Sequence, residues 1–175
     1  MSFHNFFFGA FDPSAVLSID KPPVDLWLQV ISVKLFGWGS FALKLPEALA
    51  GTLAVPLLYD AVRRAVGRPA GIAAAAVLAL APESVLTARS DTMDSVMMLL
   101  VIAAVWLTIR AVSDPQRRRR YVVFAAVAMG LAFNVKLLES TVALPALLVL
   151  YLLAADGPRR QKAIEDSIDA AERTR

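Results

Sequence analysis

The sequence predicts an all-α polytopic membrane helix bundle, with an N-terminal interfacial helical segment ahead of about five transmembrane helices. Three observations predict it. Hydrophobic residues make up 58% of the 175 positions and mean hydropathy is +0.60, against roughly 45–50% apolar content in ordinary globular domains. The apolar residues fall in long runs, the pattern of segments that satisfy their backbone internally within a bilayer. Arginines cluster between those runs, which makes them topological determinants and not a nucleic-acid surface.

The elements follow in order. Residues 1–43 read as an external interfacial segment, aromatic at Phe6-Phe7-Phe8 and then punctuated by Asp12-Pro13 and Asp20-Lys21-Pro22-Pro23. Within it, Val24 to Phe36 is too short to span and ends at Gly37 and Gly39, so a helix lying at the interface is expected. Residues 44–157 hold the bundle. Its spans run from about Leu45 to Val62, with Pro46 near the start, and from about Pro69 to Ala88, with a kink or end at Pro82-Glu83. Ser95 to Ile109, Tyr121 to Val135 and Thr141 to Ala155 complete the set. The last two have 15 residues each, about 22 Å of helix, and need part of the joining segment or a thinned bilayer to cross. Residues 158–175 form a polar, cytoplasmic tail.

The basic clusters at Arg63, Arg64 and Arg68, at Arg110 and Arg117 to Arg120, and at Arg159, Arg160 and Lys162 occupy alternate connections. The positive-inside rule assigns those to the cytoplasm of a multi-pass plasma-membrane protein. The N-terminal segment, the link from Arg89 to Asp94 and the turn with Lys136 and Glu139 then share the external face.

Asp91 and Asp94 are three residues apart, so a helix already begun at Asp91 would carry both carboxylates on one face of its first turn. They serve as catalytic carboxylates, cation ligands or helix-capping groups on the residues alone. Arg89 can neutralise a carboxylate or hold a phosphate. Lys21 is a snorkelling interfacial lysine or a phosphate-binding one at a Pro-rigidified turn. Lys136 and Glu139 are expected as a local i,i+3 ion pair, with a second cation of the external face as the alternative. Lys44 with Glu47, and Asp60 with Arg63 and Arg64, read as local pairs, and Glu83 is a further acid of the same face. With His4 the sole histidine and no cysteine, His-based triads, His-rich zinc sites and thiol chemistry are excluded, and no glycine-rich phosphate loop is present.

Asn5-Phe6-Phe7-Phe8-Gly9, Asp20-Lys21-Pro22-Pro23, Leu45-Pro46-Glu47-Ala48-Leu49-Ala50-Gly51, the Arg89 to Asp94 link and Gly130-Leu131-Ala132-Phe133-Asn134-Val135-Lys136 together resemble glycosyltransferase family 39. This is the protein mannosyltransferase and aminoarabinose transferase group of GT-C fold, and the similarity covers roughly Phe6 to Ala155. The resemblance implies an integral membrane glycosyltransferase that takes a sugar from a polyprenyl-phosphate-linked donor and transfers it, with inversion, at the outer face. By position, Asp94 matches the acidic residue of the second external loop and Asp91 is the second match. Lys21 matches the Lys-Pro-Pro lysine that contacts the lipid phosphate and Lys136 matches the supporting basic residue after the apolar helix, while Arg89 joins them as a phosphate-binding candidate on its own chemistry. Membrane lipids and the polyprenyl-phosphate sugar are the implied partners, with no nucleic acid; a divalent metal is left open, as are sugar and acceptor.

Family members start with a transmembrane helix and an external loop bearing an acidic residue, which this sequence does not contain. The expectation is therefore a fragment, inactive alone. A noncatalytic membrane subunit or inactive truncated paralogue is the alternative; a small transporter is disfavoured because Ser95 to Ile109 offers no polar lining.

Overall fold

The computed structural model describes residues 22–149, 151 and 152. Expectations that fall on residues 1–21, Lys21 among them, and on the tail 158–175 lie outside the described residues. Every described element is helical: α1 (Pro23–Phe36), α2 (Ser40–Val66), α3 (Arg68–Leu80), α4 (Pro82–Arg89), α5 (Asp94–Ser113), α6 (Arg118–Phe133) and α7 (Leu137–Thr141), the last opening an apolar helical stretch Leu137–Val149.

α1 forms where the sequence placed it. Pro23 presets the helical φ in the first turn, and Gly37, at φ 84°, ends the helix with its N–H donated to the Val33 carbonyl at 2.9 Å. Its faces could not be foreseen: Asp25, Gln29 and Ser32, at i, i+4 and i+7, are buried, whereas Ile31, Leu35 and Phe36 are exposed. The polar stripe is packed inward against α2.

α2 is the hub, in contact with α1, α3, α4 and α5. It starts at Ser40, five residues before the expected Leu45, so Pro46 and Pro56 both lie inside the helix. Its inner stripe is small, with Ala42, Ala50, Gly51, Ala54 and Ala61 buried beside Glu47. Small residues let backbones approach closely where lipid provides no hydrophobic drive to associate. Gly51 is the tightest case: a Cβ there would sit 2.8 Å from the Ala88 Cβ of α4. α5 and α6 answer with Ala104, Thr108 and Ala111, and with Ala125, Ala128 and Ala132.

α2 and α5 are each long and apolar enough to cross a membrane, and α3 with α4 makes a third candidate, bent by 55° at Ala81. The bend falls at the expected Pro82 break. α6 has 16 residues, about 24 Å of helix, and so with Leu137–Val149 stays shorter than a hydrocarbon core. Large apolar side chains such as Leu53, Ile72, Phe124 and Leu148 point outward, the inverse of a water-soluble domain.

The bundle has two polar ends. At one, α1, the start of α2, α4, the start of α5 and the end of α6 converge, and the Val24 N–H reaches the Asn134 carbonyl at 3.4 Å. At the other lie Asp60, Trp106, Arg110 and Tyr121.

Candidate active site

Helix α5 begins at Asp94 and not at Asp91, because Met93 adopts a left-handed conformation, φ 65°. For a non-glycine residue this costs roughly 1–2 kcal/mol. The buried Met93 side chain, packed with Ala50, Val96 and Val135, holds it there. The two aspartates therefore do not share one face of a helical turn, which corrects the geometric expectation, and they diverge to different partners.

Asp94 turns to Lys136, whose Nζ donates to Asp94 Oδ1 at 2.5 Å and to Glu139 Oε2 at 2.9 Å. The expected Lys136–Glu139 pair is present, and Asp94 is added to it from 42 residues away. Burial works against the Lys136 charge, but the carboxylates of Asp94 and Glu139 outweigh it and raise its pKa above the ordinary lysine value. Asp94 and Glu139, with Glu83, also line a cleft of about 620 Å³ whose remaining wall is largely apolar: Met97, Met98, Val101, Ile102, Val142 and Ala143.

Asp91 is exposed and turns the other way, toward α1. Its Oδ1 accepts from Gln29 Nε2 at 2.6 Å, while the same nitrogen donates to Asp25 Oδ2 at 2.7 Å. Beneath this bridge, Glu47 is fully buried and its Oε2 accepts the Ser95 backbone N–H at 2.9 Å. Asp25 and Glu47 lie close enough to interact directly.

Arg89 is not brought to either aspartate. It is exposed and borders two clefts on the α2 side of α4, one of about 530 Å³ with Gly51, Thr52 and Ser84, and one of about 280 Å³ with Lys44. Among the described residues no hydrogen bond or ion pair holds Arg89 or Lys44. The expected Lys44–Glu47 pair is thus absent: the two side chains leave α2 on different faces, Glu47 inward with the small-residue stripe and Lys44 into the Arg89 cleft. By contrast Asp60 pairs as expected, with Arg63 at 2.5 Å and Arg64 at 2.6 Å.

Sequence reasoning missed Asp25, Gln29 and Glu47 as members of this end. The signal for Glu47 was its place in the register of Ala50, Gly51 and Ala54, and for α1 the i, i+4, i+7 spacing of its polar residues. Among the described residues, no group of three or more His, Cys, Asp or Glu side chains is placed to hold a metal ion. The arrangement offers a carboxylate held by a cation at the rim of an apolar slot, a second carboxylate on a fixed amide, and two cations one helix away.

A family model described as dolichyl-phosphate-mannose-protein mannosyltransferase matches residues 20–168. Two Bacillus subtilis (strain 168) proteins, provisionally named mannosyltransferases YycA and YkcB, are similar. YycA is 39% identical over 161 residues, covering 92% of this chain and 23% of its own, and YkcB is 34% identical over 163 residues, covering 93% and 22%. The chain spans less than a quarter of the length of these curated relatives. Among solved structures, ArnT from Cupriavidus metallidurans in the apo state aligns with a TM-score of 0.69 at 28% identity, over 86% of this chain and 29% of ArnT.

Proposed function

Because the chain belongs to the dolichyl-phosphate-mannose-protein mannosyltransferase family, we propose that it forms part of an integral membrane glycosyltransferase that takes a sugar from a polyprenyl-phosphate-linked donor. Transfer takes place at the outer face of the membrane. The observation that carries this is the Asp94–Lys136 pair on the rim of a cleft with apolar walls. A lipid-linked sugar phosphate needs both halves: a slot for hydrocarbon, and fixed charges where the anomeric carbon meets phosphate and acceptor.

In the reaction the bond between the anomeric carbon and the phosphate oxygen breaks, a bond from the acceptor oxygen forms, and the acceptor's proton goes to a base. Asp94 orients the incoming hydroxyl, with Lys136 fixing the carboxylate in place. Asp91 is the second acid. The leaving polyprenyl phosphate needs cations that are not already neutralised. Arg89 and Lys44 meet that need among the described residues, and Lys21 joins them on the strength of the family resemblance. The arginine-rich end, with Arg63, Arg64 and Arg117 to Arg120, faces the cytoplasm by the positive-inside rule, which leaves the acidic end outside.

A noncatalytic membrane subunit is the competing reading, and one observation favours it: Lys136 is already shared by two carboxylates, as a purely structural pin would be. Membranes containing the protein joined to the upstream helix and acidic external loop that the family resemblance implies are supplied with a polyprenyl-phosphate sugar or with a nucleotide sugar. Transfer from the lipid-linked donor alone is expected; its absence, or transfer from the nucleotide sugar alone, overturns the assignment. A membrane-impermeant thiol reagent reaches Ser90→Cys from outside if the sidedness holds, and from the cytoplasm if it does not.

A further inference from the structure

We infer that Glu47 and Gln29 are positioning residues for the proposed transfer, acting together as a cap supplied from outside helix α5 to fix Asp94 against Lys136. The inference rests on the proposed site at Asp94 and adds two residues that touch neither donor nor acceptor.

The first turn of α5 needs a cap that its own link does not supply. A helix leaves its first N–H groups without intrahelical partners, and a side chain at the N-cap ordinarily accepts one from the second or third position. Here the N-cap is Met93, which has no oxygen to offer, and no side-chain cap is made from within the link. Ser95, at the second position, donates its N–H to Glu47 of α2, 48 residues away. A carboxyl oxygen from another helix thus occupies the capping position and accepts the N–H that the link leaves open. Glu47 is fully buried, so the bond is shielded from water and from competing donors.

The other end of the link is held by Gln29. Its amide nitrogen carries two hydrogens, and both are used, one on Asp25 and one on Asp91. Asparagine would be one methylene shorter and glutamate has no donor, so the bridge depends on this side chain. Gln29 therefore pins residue 91 to α1 while Glu47 pins residue 95 to α2. Asp94 lies between the two pins, next to a residue in a left-handed conformation. A strained link held at both ends leaves the Asp94 carboxylate one direction, toward Lys136. Without the pins, Met93 relaxes, the first turn of α5 frays, and Asp94 leaves the cleft.

The test uses Ser90→Cys as the single thiol of an otherwise cysteine-free chain, in membranes containing the protein joined to the same upstream segment, itself kept free of cysteine. Two quantities are read: the rate of thiol modification, and kcat and KM for a polyprenyl-phosphate sugar. Glu47→Ala and Gln29→Leu are each expected to raise the modification rate about fivefold, since a loosened link opens more often. Each lowers kcat about tenfold or more, with donor KM within about twofold, because a misplaced group costs rate more than binding. Glu47→Gln, whose amide oxygen still accepts the Ser95 N–H, stays near the unsubstituted protein in both readouts. An unchanged modification rate in Glu47→Ala and Gln29→Leu overturns the inference, as does a Glu47→Gln variant as impaired as Glu47→Ala. If Glu47→Ala does not accumulate, Gln29→Leu and Glu47→Gln carry the same test. Failure of the proposed function is seen separately, as no lipid-linked transfer by the unsubstituted protein, and the modification rates then still decide the cap.

Discussion

The two polar ends of this bundle handle the same problem, an acid among apolar helices, in opposite ways. At the arginine-rich end Asp60 accepts from Arg63, Arg64 and Trp106, at 2.5, 2.6 and 2.7 Å. The Arg110 guanidinium lies 4.4 Å from the Trp106 ring centroid and 6.0 Å from that of Tyr121. One acid is surrounded by donors, and surplus arginines remain to face lipid headgroups. At the opposite end, among the described residues, Gln29 donates to Asp25 and Asp91, a backbone amide donates to Glu47, and Lys136 is shared by Asp94 and Glu139. Arg89 and Lys44, the cations there that have no hydrogen bond or ion pair among the described residues, lie across α4 from Asp94. An end built for anchoring closes its charges. Under the proposed function, the other end holds opposite charges apart across a space that a substrate can fill.

That contrast is sharpest at Lys136. Lys136→Ala leaves Asp94 half-buried with no cation, and transfer from a polyprenyl-phosphate sugar is expected to fall about 100-fold, the scale of losing one fixed charge partner at a reacting centre. Initial rates in membranes check it, and a loss below about threefold breaks the contrast, since such a drop is smaller than one misplaced group produces.

The same small substitution at the two ends comes next. Gly51→Ala drives a methyl group to 2.8 Å from Ala88, and Gly71→Ala drives one to 2.9 Å from the Tyr59 carbonyl oxygen and 3.0 Å from Arg63 Cβ. Each is expected to cost about 1–3 kcal/mol of stability through overpacking, read as a lower unfolding temperature in detergent. Only Gly51→Ala should also impair transfer, because α4 carries the link to Asp94. The smallest effect belongs to Trp106→Phe, which removes one of three donors to Asp60 and should cost about 1 kcal/mol, with transfer unchanged.

Much of this was legible in the sequence. The apolar runs, Pro23, Gly37 and Pro82 placed helix ends and the bend, and the Asp60–Arg63, Asp60–Arg64 and Lys136–Glu139 pairs follow from i,i+3 and i,i+4 spacing. What stayed hidden depends on tertiary register. Local spacing pairs Glu47 with Lys44, but burial of the small-residue stripe of α2 turns Glu47 inward to an amide on α5. Likewise Gln29 reads as an interruption of an apolar helix until Asp91, 62 residues away, comes within 2.6 Å. Met93 gave no warning, because methionine has no preference for the left-handed region; only its buried side chain keeps it there.

Under the proposed function, one polar end performs chemistry and the other does not. Sugar transfer from a polyprenyl-phosphate donor should be measured side by side for Asp94→Asn and Asp60→Asn in the protein joined to the upstream helix and acidic loop, each checked for expression and thermal stability. Loss of a positioned acid–base group predicts a drop of about 100-fold or more for Asp94→Asn, with Asp60→Asn retaining transfer at the unsubstituted level. Equal activity in the two variants, or a greater loss in Asp60→Asn, contradicts it.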